Sequence, residues 1–297
     1  MSGARLLRLP VLTVAFYPEE ARWTTGRGGR IAAVGRIPLT AGLVSDGVVK
    51  DPERAGEALR ASGALRGIAR MRTVVALPAE RAVVRTMLVP PLGSAQLAEL
   101  MEREVRRELP MLADSAYASW GRVGERDGHY ELFVAGVPRD IVDSHVAALR
   151  AAGLHVIGAD LRIIASARAV GAPDAIVAHV EDGDAEIGIF RDGVPSIVRH
   201  VALAAPPGDA AWTAQLTEEL VRTLKFYRDS RRNDDAFDGL PISLVGGAAP
   251  RAVLAPDMRA ATGHDVEMPP LQAHAEPEAQ AVRFSANIGL ALKELAA

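Results

Sequence analysis

The feature that most constrains this chain is a three-strand meander that occurs twice. Val11–Phe16, Ala21–Thr25 and Ile31–Ile37 are short apolar runs with a Gly-rich turn at Gly26-Arg-Gly-Gly29. Ile176–Val180, Ala185–Phe190 and Ile197–Leu203 repeat the scheme in the second half, turning at Asp182-Gly-Asp184 and Asp192-Gly193. Each meander leads into helices and further strands, so the pattern is duplicated although the sequence is not. A length of 297 residues accommodates two such units, or one unit with an insertion.

The stretch between the meanders is long. Asp51–Ser62 reads as a helix opened by an Asp N-cap and a Pro at its first position, and Thr73–Leu77 and Val83–Val89 read as strands. Ser94–Leu109 places Leu97, Leu100, Met101, Val105 and Leu109 on one helical face, while Arg103, Arg106 and Arg107 interleave with glutamates on a solvated face, and Pro110 ends it. Tyr117–Val123 and Tyr130–Gly136 form a hairpin through Asp127-Gly128. Pro138–Ala152 is a helix and Leu154–Ile157 a strand.

After the second meander come a long helix (Asp209–Arg232), a strand (Ile242–Val245) ending in Gly246-Gly247, a helix over Arg251–Thr262, a strand over Asp265–Met268 and a final helix over Ala286–Leu295. Ala273–Gln280 reads as a loop. The expected fold is α/β. A first lobe takes residues 9–40 and 150–172, an inserted α+β subdomain residues 41–149, and a second lobe residues 173–297.

Composition narrows the chemistry. A net charge of −3 gives no reason to expect nucleic acid. With no cysteine there is no disulfide, thiolate zinc site or cysteine nucleophile. There are three lysines, Lys50, Lys225 and Lys293, of which Lys225 falls nearest an expected cleft. Walker, Gly-x-Ser-x-Gly and His-Glu-x-x-His signatures are missing, so no catalytic residue and no metal site is expected. No run approaches the roughly 20 apolar residues of a membrane helix, and the start reads as a strand rather than a signal peptide, so a cytoplasmic protein is expected.

Several stretches together resemble the PilM family of type IV pilus assembly proteins, actin-like and related to FtsA. They are Val44-Ser-Asp-Gly-Val-Val-Lys-Asp-Pro52, Val74-Val-Ala-Leu-Pro78, Val84-Arg-Thr-Met-Leu-Val-Pro-Pro91 with the following helix, Phe133-Val-Ala-Gly-Val-Pro-Arg139 with Leu149-Arg-Ala-Ala-Gly-Leu154, Ile189-Phe-Arg-Asp-Gly193, Leu220-Val-Arg-Thr-Leu-Lys-Phe-Tyr227, Ile242-Ser-Leu-Val-Gly-Gly-Ala248 and Ile288-Gly-Leu-Ala-Leu292. The resemblance implies two ribonuclease H-like lobes with ATP and magnesium between them. It also implies a partner: the cytoplasmic N-terminal peptide of a single-span, PilN-like inner-membrane protein, docked between the first lobe and the inserted subdomain. Tyr117, Val134, Ile157 and Leu161 lie near that junction by chain order. Pilus motor ATPases and self-association are further interactions the resemblance allows.

The chain departs from the family at both phosphate turns. Ala15 and Tyr17 stand where the first turn would carry Asp and Gly, with Pro18, Glu19 and Glu20 in place of small hydroxyl residues. His179 and Glu181 occupy the same places in the second, followed by Asp182, Gly183 and Asp184. Five carboxylates, Glu19, Glu20, Glu181, Asp182 and Asp184, thus face where a triphosphate would sit. A like charge at ~4 Å costs roughly 1–4 kcal/mol per pair.

No bound cofactor is therefore expected. Gly246, Gly247 and Ala248, with Lys225, remain as a degenerate adenosine-side remnant, and the acids read as solvated hairpin tips. His179 reads as structural, Trp212 as core, and Arg228–Arg232 as a solvated helix end. A pseudo-ATPase scaffold of a pilus or related secretion machine is the expected function. The alternatives are an atypical ATP-binding ATPase of pilus assembly and a cytoplasmic component of a type II secretion system.

Overall fold

A computed structural model describes residues 10–27, 30–68, 70–108, 115–230, 237–252, 256–272 and 281–296, and in it each meander supplies three strands of a five-stranded sheet. The first sheet joins β1 (Val11–Phe16), β2 (Glu20–Arg27) and β3 (Arg30–Pro38) to β6 (Arg72–Leu77) and β10 (His155–Leu161), in the order β10-β6-β1-β2-β3. The second joins β11 (Ala175–Val180), β12 (Asp184–Arg191) and β13 (Val194–Ala202) to β14 (Ile242–Val245) and β15 (Val266–Glu267), in the order β13-β12-β11-β14-β15. In both, the meander strands are antiparallel and the last two strands run parallel to the first. The duplication is thus one of topology.

This pairing corrects the expected boundaries of the insertion. Parallel neighbours require a crossover. Residues 39–71, with the small ladder β4 (Val44–Ser45) and β5 (Val48–Val49) and helix α1 (Pro52–Ala61), form that crossover from β3 to β6 and belong to the first lobe. The same holds for α3 (Arg139–Ala151), which packs against α1 and leads into β10. The inserted module is smaller: β7 (Val83–Val89), α2 (Ser94–Glu108), β8 (Ala116–Arg126) and β9 (His129–Pro138), with sheet order β7-β9-β8. Its hairpin turns at Asp127 and Gly128 with φ of 51° and 73°, the left-handed pair of a type I′ turn.

β1 is buried along its whole length because both faces of the sheet are covered. Leu12, Val14 and Phe16 meet Leu59, Ile141 and Leu149 of α1 and α3. Val11, Ala15 and Tyr17 meet Ala286, Leu290 and Ala291 of α8 (Ser285–Ala296). α8 in turn crosses α4 (Arg162–Val170), which packs on β11 and β12 of the second lobe. The crossing is backbone-close: a Cβ at Gly289 would stand 1.7 Å from the carbonyl oxygen of Ala165. The second sheet is covered by α5 (Ala210–Ser230), whose Trp212, Leu216, Leu220, Leu224 and Tyr227 are all buried against Ile176, Ile187 and Ile189.

α4 escapes a periodicity reading, since six of its nine residues are buried, Arg162 and Ser166 among them. The helix expected over Arg251–Thr262 is two, α6 (Ala249–Ala252) and α7 (Pro256–Thr262), the second opened by its own proline. The Ala273–Gln280 stretch and Pro110 lie outside the described residues. Among the described residues no helix is long and apolar enough to cross a membrane.

Candidate functional site

The two sheets bring the β1–β2 and β11–β12 turns face to face across a cleft, with the Gly246–Ala248 turn after β14 beside them. Tyr17 and Glu181 hold the equivalent places in the two hairpins. Each closes its turn by accepting a short loop: Tyr17 N–H donates to the Glu20 carbonyl and Glu181 N–H to the Asp184 carbonyl, at 2.8 and 2.9 Å.

The cleft is filled by side chains. Arg22 of β2 reaches across and grips Glu181 with both nitrogens of its fork, Nη1–Oε1 at 2.6 Å and Nη2–Oε2 at 2.7 Å. Its Nε donates to Glu20 at 2.6 Å, and its guanidinium lies 3.8 Å from the centre of the Tyr17 ring. Tyr17 stacks on His179 with the rings 6° from parallel. His179 Nε2 sits 3.0 Å from Glu181 Oε1, and its Nδ1 sits 2.9 Å from Ser166 Oγ.

A second pair lies alongside. Arg162, at the start of α4, holds Asp184 at 2.5 Å and Glu186 through Nε at 3.0 Å. The N–H of Ala79, just past β6, donates to Glu186 at 2.8 Å.

The electrostatics follow from this burial. Removal from water is the largest effect on the Arg22 guanidinium and would lower it, but the Glu181 charge, with Tyr17 and the hydrogen bonds to Glu181 and Glu20, together outweigh it, and the pKa is raised. Burial pushes Glu181 up, yet the Arg22 charge and the His179 hydrogen bond bring it well below the ordinary carboxylate range. Burial raises the Tyr17 phenol, which stays protonated. Arg162 and Asp184 are held charged in the same way.

Glu20, Glu181 and Asp184 are therefore not the solvated tips expected from the sequence, while Glu19 and Asp182 are exposed as expected. Glu181 is 7% exposed. Glu20 is paired with Arg22 and Arg36, Asp182 with Arg251, and Asp184 with Arg162 and His200. Glu19 alone of the five stays exposed without an ion pair among the described residues. The reason is charge: arginines from β2 and α4 neutralise carboxylates that are distant in sequence.

The Gly246–Ala248 remnant is engaged as well. The N–H of Gly246 donates to Val282 O at 2.8 Å, that of Gly247 to Glu181 Oε1 at 2.9 Å, and that of Ala248 to Val180 O at 2.9 Å. Gly246 has φ of 98°, and a Cβ there would meet Val180 O at 2.5 Å, so glycine is required by the protein's own packing. Over Gly247 stand Arg22, Glu181 and Arg283, the first two 2.6 Å from where a Cβ would be. Lys225 does not join them; it is exposed on α5. Among the described residues no cluster of three or more His, Asp or Glu is arranged to hold a metal ion.

Ser166, His179 and Glu181 form a hydroxyl–imidazole–carboxylate chain, the order of an acyl-transfer relay. Ser166 and His179 are fully buried, and Ser166 Oγ faces Ser285 Oγ at 3.1 Å. A relay with a hydroxyl where substrate would enter is a structural network.

The inserted sheet offers the other candidate surface. Antiparallel partners share a face, which puts Leu132 and Val134 of β9 with Met87, Arg85, Arg122 and Trp120. Leu97 and Met101 of α2 cover that face. The opposite face carries Phe133, Leu88 and Tyr117, with Leu88 and Tyr117 exposed. α3 packs against both β8 and β10 and so lies between Tyr117 and Ile157.

Of the four residues expected at the partner junction, Tyr117 and Ile157 are exposed. Val134 and Leu161 are 5% and 3% exposed, in the cores of the module and the first lobe, where a peptide does not reach them. Trp120 and Val123, also exposed on β8, were not singled out by sequence reasoning. Their signal is two large apolar residues on the outer strand of a small sheet.

A family model described as type IV pilus assembly protein PilM matches residues 21–189. A solved PilM-PilN type IV pilus biogenesis complex contains a chain with TM-score 0.76 at 20% identity, covering 97% of this chain and 99% of that one. The ethanolamine utilization protein EutJ of Carboxydothermus hydrogenoformans follows at TM-score 0.55 and 16% identity, covering 95% and 89%. The cytoplasmic domain of EpsL, an inner-membrane component of the type II secretion system of Vibrio cholerae, has TM-score 0.54 at 15% identity, covering 93% and 94%. These likenesses establish the actin-like fold. No curated protein matches the chain.

Proposed function

We propose, from the chain's membership of the type IV pilus assembly protein PilM family, that it is a cytoplasmic scaffold that works without nucleotide. It receives the N-terminal cytoplasmic peptide of a single-span, PilN-like inner-membrane protein. The observation that carries this reading is the Arg22–Glu181 pair, which stands over Gly247 in the cleft between the lobes. ATP with magnesium does not fit a cleft whose backbone donors at 246–248 already serve the protein and whose turns present Tyr17 and buried carboxylates.

The docking surface then lies in the module. β8 is an outer strand of eleven residues with Tyr117, Trp120 and Val123 exposed along it. An extended peptide adds to such an edge by main-chain hydrogen bonds, with apolar side chains giving specificity. The similarity to a PilM-PilN complex supports a partner of this kind.

Two titrations test the reading. Calorimetry with ATP and magnesium is expected to show no binding tighter than about 100 μM, roughly 5.5 kcal/mol; tighter binding refutes it. A labelled peptide of the first 10–20 residues of the PilN-like neighbour is expected to bind over a scrambled control. Tyr117→Asp with Trp120→Ala should weaken it at least about tenfold, or about 1.4 kcal/mol, at unchanged melting temperature. Equal binding by that variant refutes the assignment to β8.

A further inference from the structure

We propose that Arg22 and Glu181, supported by Arg162 with Asp184 and Glu186, form an interlobe clasp. It is a closure made of side chains that holds the two lobes together where the actin-like architecture places a nucleotide. The inference rests on the reading that the cleft takes no nucleotide, and adds that closure is then a property of the chain itself.

The lobes meet in two ways. First, α4 and α8 cross with their backbones in contact at Ala165 and Gly289. Second, beside that crossing, Arg22 is anchored in the first sheet opposite Ala15, and Glu181 leaves the end of β11 in the second. The helix crossing is backbone-close, while these two ends meet through charge.

Glu181 Oε1 accepts from Arg22 Nη1 and Gly247 N–H and lies 3.0 Å from His179 Nε2, while Oε2 accepts from Arg22 Nη2. Parting the lobes strips one carboxylate of both arms of its arginine at once. It also uncovers the Tyr17 ring beneath the guanidinium. Such a pair is conditional: closed when both partners are present, and strongly disfavoured when one is removed and a buried charge is left alone. Because no ligand takes part, the closed state does not depend on any ligand concentration.

The chain has no cysteine, so spin labels can be placed at two introduced sites without background. Exposed Glu57 on α1 and exposed Lys225 on α5 report the two lobes. The full-length chain carrying Glu57→Cys and Lys225→Cys is measured by double electron–electron resonance. The expected result is one narrow distance distribution, unchanged by ATP with magnesium, and a shift of about half the molecules to a second distance in Arg22→Met. Glu181→Gln keeps the side chain's shape and removes its charge, and gives the same comparison if Arg22→Met does not fold. Either folded variant keeping the parent distribution overturns the clasp. A change on adding ATP to the unaltered clasp overturns the nucleotide-free reading instead, and the variants still judge the clasp.

Discussion

His145 on α3 is expected to make stability fall with pH in a window that opens above the carboxylate range. Its ring is fully buried edge-on against Phe16; Nδ1 lies 2.8 Å from the Ile141 carbonyl, and Nε2 has no partner among the described residues. Burial lowers its pKa from 6.5 to about 4. The Arg162 charge pushes in the same direction. In the unfolded chain the imidazole takes up a proton near pH 6.5, while the folded chain resists until about pH 4. The stability present above pH 6.5 is therefore lost progressively as pH falls, and the loss is complete near pH 4.

At 1.36 kcal/mol per pH unit the whole loss is about 3 kcal/mol, of which about 2 kcal/mol is already felt at pH 5. The assay is urea unfolding of the parent and of His145→Leu at intervals from pH 7 to pH 4.5. The leucine variant should lose this slope and keep only what other groups contribute. His200 contributes in the opposite sense: burial lowers it, but the Asp184 hydrogen bond and charge win and raise it. Its contribution is present at low pH and lost as pH rises through its folded value, which is why the comparison must be made against the variant. Parallel slopes for parent and variant between pH 7 and pH 5 would refute the account.

The remaining predictions concern packing. Gly289→Ala places a methyl against the Ala165 carbonyl, a backbone atom that cannot rotate away. It should cost at least about 1–3 kcal/mol in chemical denaturation, and a neutral result would show that the helices do not cross this closely. Trp212→Phe keeps the aromatic bulk under the second sheet and removes the Nε1 hydrogen bond to Asp182 O at 2.9 Å. A loss of about 1 kcal/mol in urea unfolding is expected.

What the sequence made legible follows the range of the interactions involved. The meanders, α1 with its Asp51 cap and α5 with its buried stripe are written in local patterns. The capping bond from Arg54 N–H to Asp51 shows how little of the chain such a signal needs. β6 was legible as a strand but not as a member of the first sheet, because parallel pairing with β1 leaves no mark in the segment between them. The site was misread for the same reason. Glu181 sits in a turn of acids that looks solvated, and the arginine that buries it lies 159 residues away. The network around His179, from Ser166, Tyr17 and Ser285, is equally dispersed.

The module leaves and re-enters the first lobe at one place. Val83 pairs with Gly136 at its start, Ala116 pairs with Pro138 at its end, and the N–H of Arg139 donates to the Ser115 carbonyl. An excursion whose two ends are neighbours imposes no separation on the strands beneath it. β6 and α3 keep their positions whatever lies between residues 83 and 138. Natural selection can therefore rewrite the strand that meets a partner, lengthen it or change its charge, without renegotiating the buried arginines that set the lobes. The scaffold and its address are separate inheritances within one chain.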